Sequence, residues 1–137
     1  MPDIQSLPSV PESHAGLLGA PHFAHVCTIN ADGSPQTSPV WLNREGAVIC
    51  LNSAEGRRKI ANMRRDPRVA ISIIDAANPY RYVELRGRVI EMTREGADAH
   101  IDQLAKDYLG VDEYPYRSPG EQRVLIRIAV EHVVALN

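Results

Sequence analysis

The chain has 137 residues, of which 44% are hydrophobic and 23% are charged, and its formal net charge is −2. This composition suits one domain with a core, and the small net charge argues against bulk attraction to nucleic acid or anionic lipid. No apolar run approaches the ~20 residues of a membrane span, and no signal-peptide pattern precedes the first strand, so we expect a cytoplasmic protein.

The N-terminal part predicts a loose arm followed by a short helix. Prolines at positions 2, 8 and 11 indicate little regular structure over residues 1–10, with a single domain over residues 11–137. A helix is expected over residues 12–18, because Gly19 and Pro21 follow it. Such a helix would cover a sheet edge or one end of a barrel.

An antiparallel meander is expected next. Strands are predicted over residues 23–29, 36–42 and 47–52, and short glycine-containing turns separate them. Pro39 lies within the second of these strands, where it cannot donate a ladder hydrogen bond. It therefore indicates a sheet edge, a bulge or a segment that faces a ligand.

Residues 51–74 predict the end of a strand, a short helix and the next strand. Ser53 is the expected N-cap, because its side-chain oxygen can accept from the free N–H groups of a first helical turn. Asp66 is expected to end the helix, because the proline that follows disfavours the α conformation at this position.

Three cations, Arg57, Arg58 and Lys59, fall at the expected start of this helix. A helix N-terminus is partly positive and favours anions by roughly 0.3–1 kcal/mol per charge, so three cations there make electrostatic sense around a bound anion. A helix start flanked by Arg and Lys is suited to phosphate. The alternative interpretation is a solvated basic face without a ligand.

The second half of the chain predicts three more strands and another helix. The predictions are a strand over 68–75, a strand over 80–92, a helix over 93–108, an irregular loop over 111–120 and a strand over 123–135. Gly87 indicates a bend or a bulge in the long strand, and Thr93 is the expected cap of the helix. The sequence thus predicts a mainly β protein whose six antiparallel strands form a small barrel with two to three helices.

The two cysteines, Cys27 and Cys50, lie in strand-like runs, and we expect two buried free thiols in a reducing cytosol rather than a disulfide. The spacing of His, Cys, Asp and Glu matches no metal-binding motif. No acid–base or nucleophilic residue can be assigned, so the catalytic residues stay open.

Four motifs carry a resemblance to a known family. They are TINADGSPQ at 28–36, SPVW at 38–41, RRKIANMRRDPR at 57–68 and YVELRGRV at 82–89. With them, nearly the whole chain resembles the split β-barrel flavin-binding family that includes pyridoxamine 5′-phosphate oxidase. The likeness is strongest to the deazaflavin (coenzyme F420)-dependent reductases. It implies a six-stranded antiparallel split β-barrel and a homodimer with two cofactor sites at its interface.

The resemblance also implies a cofactor site. Arg57 and Lys59 would hold the phosphate, with Ser53 and Arg58 assisting, and Asn62 would steady the phosphate loop unless it is only a surface amide of the helix. The flavin-type ring would lie along strand two and against strand three. The residues implied for the ring are Gln36, Ser38, Pro39, Val40, Trp41, Leu51 and Asn52. Trp41 is equally consistent with a place in the barrel core.

The implied function is hydride transfer from reduced coenzyme F420 to a small unsaturated or heteroaromatic acceptor. One alternative is an FMN-binding oxidoreductase of the pyridoxamine-phosphate-oxidase type, and another is a non-catalytic module that binds or carries the cofactor. The oxidase branch has an S-R-K motif, whereas here Gly56 precedes the cations and the serine is displaced to Ser53, which favours the deazaflavin. Hydride chemistry resides on the cofactor, so it needs no dedicated acid–base residue.

Overall fold

The structure, a computed structural model, describes residues 10–19 and 21–137. The strands are β1 (Phe23–Ile29), β2 (Pro35–Val40), β3 (Leu42–Glu45), β4 (Val48–Ala54), β5 (Arg68–Asp75), β6 (Asn78–Thr93) and β7 (Arg123–Leu136). The helices are α1 (Gly16–Gly19), α2 (Arg58–Arg65) and α3 (Ala97–Leu109), and a 3-10 turn (Glu12–His14) precedes α1. Most of the expected arm lies outside the described residues, and Val10 at its end packs against the core.

The strands form a curled antiparallel sheet in the order β2-β1-β5-β6-β7-β4-β3. The predicted mainly β, antiparallel split-barrel fold is confirmed, but the sheet has 7 strands rather than six. The strand predicted over 36–42 divides, because Val40 pairs with Ala24 of β1 whereas Leu42 pairs with Leu51 of β4.

This division explains how the barrel closes. Strands β2 and β3 are the two edges of the sheet, yet Trp41 alone separates them in the chain. Since consecutive Cα atoms are only about 3.8 Å apart, the two edges must meet at Trp41. The sheet therefore curls around its core and leaves a seam at that corner.

Strand β4 is buried on both faces, and its C-terminal residues are buried as well. Ile49 and Leu51 face the main core, while Val48 and Cys50 pack with Ala97 of α3 in a second apolar cluster. A strand covered on both sides reads as a continuous apolar run, as this one does in its first half.

The helix starts differ from the sequence prediction. Ser53 does not cap α2, because it is still part of β4 and pairs with Val124 of β7. The helix begins at Arg58, with Arg57 at the N-cap position and no side-chain cap. A turn at Gly56, whose φ is +92°, separates strand from helix. Thr93 likewise stays in β6, and α3 begins at Ala97 after Gly96. In both places the pairing with β7 extends the preceding strand beyond its predicted end.

Of the bend or bulge expected at Gly87, the structure shows a bulge-like irregularity, since the pairing of β6 with β7 shifts register between Arg86 and Gly87. The helix expected over 12–18 is divided between the 3-10 turn and α1. None of the helices in the described residues is long and apolar enough to cross a bilayer.

Candidate functional site

A cavity of about 380 Å³ lies at the barrel seam. Its walls are the start of β1, the Trp41 corner, the end of β4, the start of α2, the inner face of α3 and the loop before β7. Small-molecule sites typically enclose roughly 300–1,000 Å³, so the cavity has the size of a ligand site.

Most of the predicted site residues meet in this cavity. Those that line it are Pro39, Val40, Trp41, Asn52, Ser53, Arg57 and Lys59. Those that lie outside its lining are Gln36, Ser38, Leu51, Arg58 and Asn62. Trp41 is half-buried at the cavity and is not a member of the core clusters, which decides between its two predicted places.

The residues outside the lining have other surroundings. Leu51 is 1% exposed and points into the core, and the Oε1 atom of Gln36 accepts from the Thr28 hydroxyl at 3.0 Å. The Ser38 hydroxyl is buried without a hydrogen-bond partner among the described residues. Arg58 is exposed on the outer side of the helix start.

Asn62 is not the surface amide of the alternative interpretation, because it is buried under helix α2. Its Nδ2 group donates to Thr28 Oγ1 at 2.9 Å and to Asn30 Oδ1 at 3.0 Å, and its Oδ1 atom accepts from Arg65 at 2.8 Å. These bonds tie α2 to the end of β1 and thereby fix the place of the helix start.

The basic corner of the cavity consists of Arg57 and Lys59. Neither side chain has a carboxylate within ion-pair distance in the described part of the chain, whereas Arg64 at the other end of α2 pairs with Glu55 at 2.5 Å. Burial lowers the pKa of Lys59, and the charges of Arg57 and Arg123 lower it further. An anion bound between these groups would relieve their mutual repulsion.

Another wall of the cavity is aromatic. The rings of Trp41 and Tyr108 stack with centroids 5.3 Å apart and planes 17° apart, and Tyr114 meets Trp41 edge-on at 6.0 Å. The Tyr108 hydroxyl accepts from the backbone N–H of Leu42 at 3.2 Å, which anchors the stack to β3. A flat, rigid surface of this kind suits a planar ring system.

A buried polar network adjoins the cavity through Asn52 and Arg123. Asn52 joins His100 of α3 to Arg123 of β7, and Arg123 pairs with Glu121 at 2.7 Å. Sequence reasoning missed His100, Arg123 and the tyrosines. The available signals were an arginine at the start of an apolar final strand and the Tyr-Pro-Tyr run in the preceding loop.

The network gives a pH prediction. Burial lowers the pKa of His100 to about 4, and the neutral ring accepts from Asn52 at Nδ1 and donates from Nε2 to Asn43 Oδ1. Between about pH 6.5 and pH 4, His100 is protonated in the unfolded chain but stays neutral in the folded chain. The free energy of unfolding therefore falls as the pH falls through this interval. We expect a loss of about 2 kcal/mol, because partial exposure of the ring reduces the full effect.

Urea unfolding of the parent and of His100→Gln at about pH 7 and about pH 4.5 checks this. The parent should lose more of its free energy of unfolding than the variant over that interval, because glutamine does not titrate. Equal losses in the two proteins would contradict the assignment of the pH dependence to His100.

Comparison with known proteins agrees with this geometry. The pyridoxamine 5′-phosphate oxidase family model matches residues 10–137. A solved structure described as an F420 reductase is 32% identical, has a TM-score of 0.81, and the match covers 91% of this chain and 98% of that one. A conserved hypothetical protein of Mycobacterium tuberculosis is 22% identical, with a TM-score of 0.73 over 96% of this chain and 86% of that one. General stress protein 26 of Bacillus anthracis is 16% identical, with a TM-score of 0.68 over 91% of this chain and 92% of its own.

The two more distant structures support the fold alone. The family model, in contrast, spans residues 10–137, and the F420 reductase structure matches 91% of the chain at 32% identity. The chain therefore belongs to the pyridoxamine 5′-phosphate oxidase family of flavin-type oxidoreductases.

Proposed function

We propose that this protein uses reduced coenzyme F420 to deliver hydride to a small unsaturated or heteroaromatic acceptor. The observation that carries the proposal is one cavity that combines a flat aromatic wall with two cations, Arg57 and Lys59, that have no carboxylate partner among the described residues. This pairing of features suits a planar tricyclic ring attached to a phosphate. The likeness to a solved F420 reductase supports the deazaflavin over other ring systems.

The residues of the cavity have distinct tasks in this proposal. Arg57 and Lys59 bind the phosphate through charge-assisted hydrogen bonds, and Ser53 at the end of β4 offers a neutral donor beside them. Pro39 and Trp41 flank the ring and exclude water from one side of it. The bound cofactor supplies the hydride-carrying carbon, while the protein orients it toward the acceptor.

Anaerobic mixing of the protein with reduced F420 and a panel of acceptors tests the proposal. Oxidation of the cofactor should require both the protein and an acceptor, and deuterium placed on the cofactor should appear in the product. Purification with bound FMN and turnover with it would favour the oxidase alternative. Tight F420 binding with no turnover on any acceptor would favour a carrier.

We also propose that the protein is a homodimer whose two copies meet across the outer face of the sheet. Pairing places Phe23, Ile74, Tyr82 and Leu136 in one row across four strands on that face. Phe23 is 67% exposed and Leu136 is 48% exposed, and Phe23 also lines the cavity. A second copy seated on this row would bury apolar surface and close the cavity on its open side.

Light scattering at a micromolar protein concentration should therefore give a molecular mass twice that of one chain. Replacement of Phe23 by Asp should shift the protein toward the monomer and weaken cofactor binding together. A parent protein that binds cofactor at monomer mass would contradict this arrangement.

A reducing, cytoplasmic location is part of the proposal, and two free thiols support it. Cys50 is buried and donates to Glu45 at 3.2 Å, and burial raises the pKa of its thiol to about 12, whereas Cys27 is half-buried on β1. Labelling of the denatured, unreduced protein should find both thiols, and labelling of the native protein should find Cys27 first. Finding neither thiol after denaturation would contradict the location.

A further inference from the structure

Asn52 was predicted to contact the cofactor, but its side-chain amide is already hydrogen-bonded to other groups of the protein. Its Nδ2 group donates to the Ala97 carbonyl at 2.9 Å and to His100 Nδ1 at 3.1 Å, and its Oδ1 atom accepts from Arg123 Nε at 2.8 Å. A primary amide has two N–H donors, so none is left for a ligand. Asn52 therefore acts on the cavity by holding Arg123.

Arg123 is fixed from three directions. Besides the bond from Nε to Asn52, one terminal nitrogen donates to Glu121 at 2.7 Å, and the guanidinium carbon lies 5.0 Å from the centroid of the Tyr114 ring. The side chain is 6% exposed, and it lines the cavity. A guanidinium has five N–H donors, so this orientation leaves donors for a further acceptor.

The charges around this corner do not balance within the protein. Arg57 and Lys59 extend into the cavity from the start of α2 and Arg123 from the start of β7, and Glu121 pairs with Arg123. Burial of a charge is costly without a partner, and the charges of Arg57 and Arg123 lower the pKa of Lys59 beyond the effect of burial. A group with more than one negative charge between α2 and β7 would satisfy all three cations.

We propose that Arg123 is a ligand-contacting residue that binds the anionic group from the side opposite Arg57 and Lys59, and that Asn52 and His100 position it. The group is an oxyanion of the phosphate ester class. This inference deepens the proposed function, because it assigns the second wall of the same phosphate site.

The decisive variant is the double substitution Glu121→Gln with Arg123→Gln. It removes both buried charges at once, so no carboxylate is left unpaired in the interior. Arg127→Gln is the matched control, because Arg127 lies on the same strand and forms ion pairs with Glu45 and Glu91 outside the cavity lining. Titration of cofactor fluorescence should show F420 affinity about tenfold or more weaker in the double variant and unchanged in the control.

A second measurement begins with the parent protein and does not depend on the folding of the double variant. In the parent protein, inorganic phosphate should shift the Nε–H resonance of Arg123 in a nitrogen-detected NMR titration, and that of Arg127 should stay in place. Asn52→Ala should move the Arg123 resonance toward that of a solvated arginine and reduce the shift that phosphate causes. The urea midpoint of unfolding should change little.

An unchanged F420 affinity in the folded double variant, or a silent Arg123 resonance in the parent, would overturn the inference. F420 binding that depends on Arg57 and Lys59 but not on Arg123 would overturn this inference and leave the proposed function unaffected. A phosphate response at Arg123 in a protein that never turns over F420 would support the inference and overturn the proposed function.

Discussion

Lys59→Ala and Arg57→Ala should each weaken F420 binding by about 1.5–3 kcal/mol, the scale of a charge-assisted hydrogen bond to a phosphate oxygen. Both side chains line the cavity, and Lys59 is half-buried there. The free energy of unfolding should change little, because no carboxylate in the described chain pairs with either cation and a cation near a helix start contributes little stability.

Arg58→Ala is the matched control for these two substitutions. Arg58 lies between them in the chain and is exposed, as Arg57 is, but it does not line the cavity, so its loss should cost less than about 0.5 kcal/mol of binding, as for a screened surface charge. Fluorescence titration at fixed salt measures all three. Similar F420 affinities of the parent, Lys59→Ala and Arg57→Ala proteins would contradict the assignment of the phosphate site.

Gly87→Ala should destabilise the fold by about 3 kcal/mol or more, at the upper end of the cost of overpacking. A Cβ atom at Gly87 would lie 2.1 Å from the carbonyl oxygen of Ala129 and 3.0 Å from its carbonyl carbon. Both neighbours are backbone atoms of β7, so relief requires the two central strands of the sheet to separate. The expected result is a large fall in the urea midpoint of unfolding.

Gly16→Ala serves as the control for this substitution. A Cβ atom there meets no atom within 4 Å, and the residue lies in α1, where alanine is at least as favourable as glycine. Its urea midpoint should equal or exceed that of the parent. A Gly87→Ala protein that unfolds at the parent midpoint would show that the β6–β7 approach is looser than the structure has it.

Local sequence signals were sufficient for some elements and insufficient for others. β1 and β5 have the predicted ends, because turn or proline signals bound each apolar run. The break at Trp41 could not be predicted, since it arises where the chain changes from pairing with β1 to pairing with β4. Ser53 was wrong as a cap for the same kind of reason, because pairing with β7 extends β4 through it.

The candidate site shows the same limit. Arg57 and Lys59, which line the cavity, could be singled out from the sequence because cations at a helix start are anomalous within a single local segment. Asn52, His100 and Arg123 lie far apart in the chain and meet only when β4, α3 and β7 pack together. Their hydrogen bonds depend on non-local packing, which no motif in this chain encodes.

Coenzyme F420 and its deazaflavin core without the phosphate-bearing side chain should bind the parent protein with very different affinities. If the cations of α2 hold the phosphate, F420 should bind about a hundredfold or more tightly than the core, whereas Arg57→Ala combined with Lys59→Ala should bring the two affinities close together. Equal affinity of the parent protein for F420 and for the core would contradict a phosphate site in this cavity.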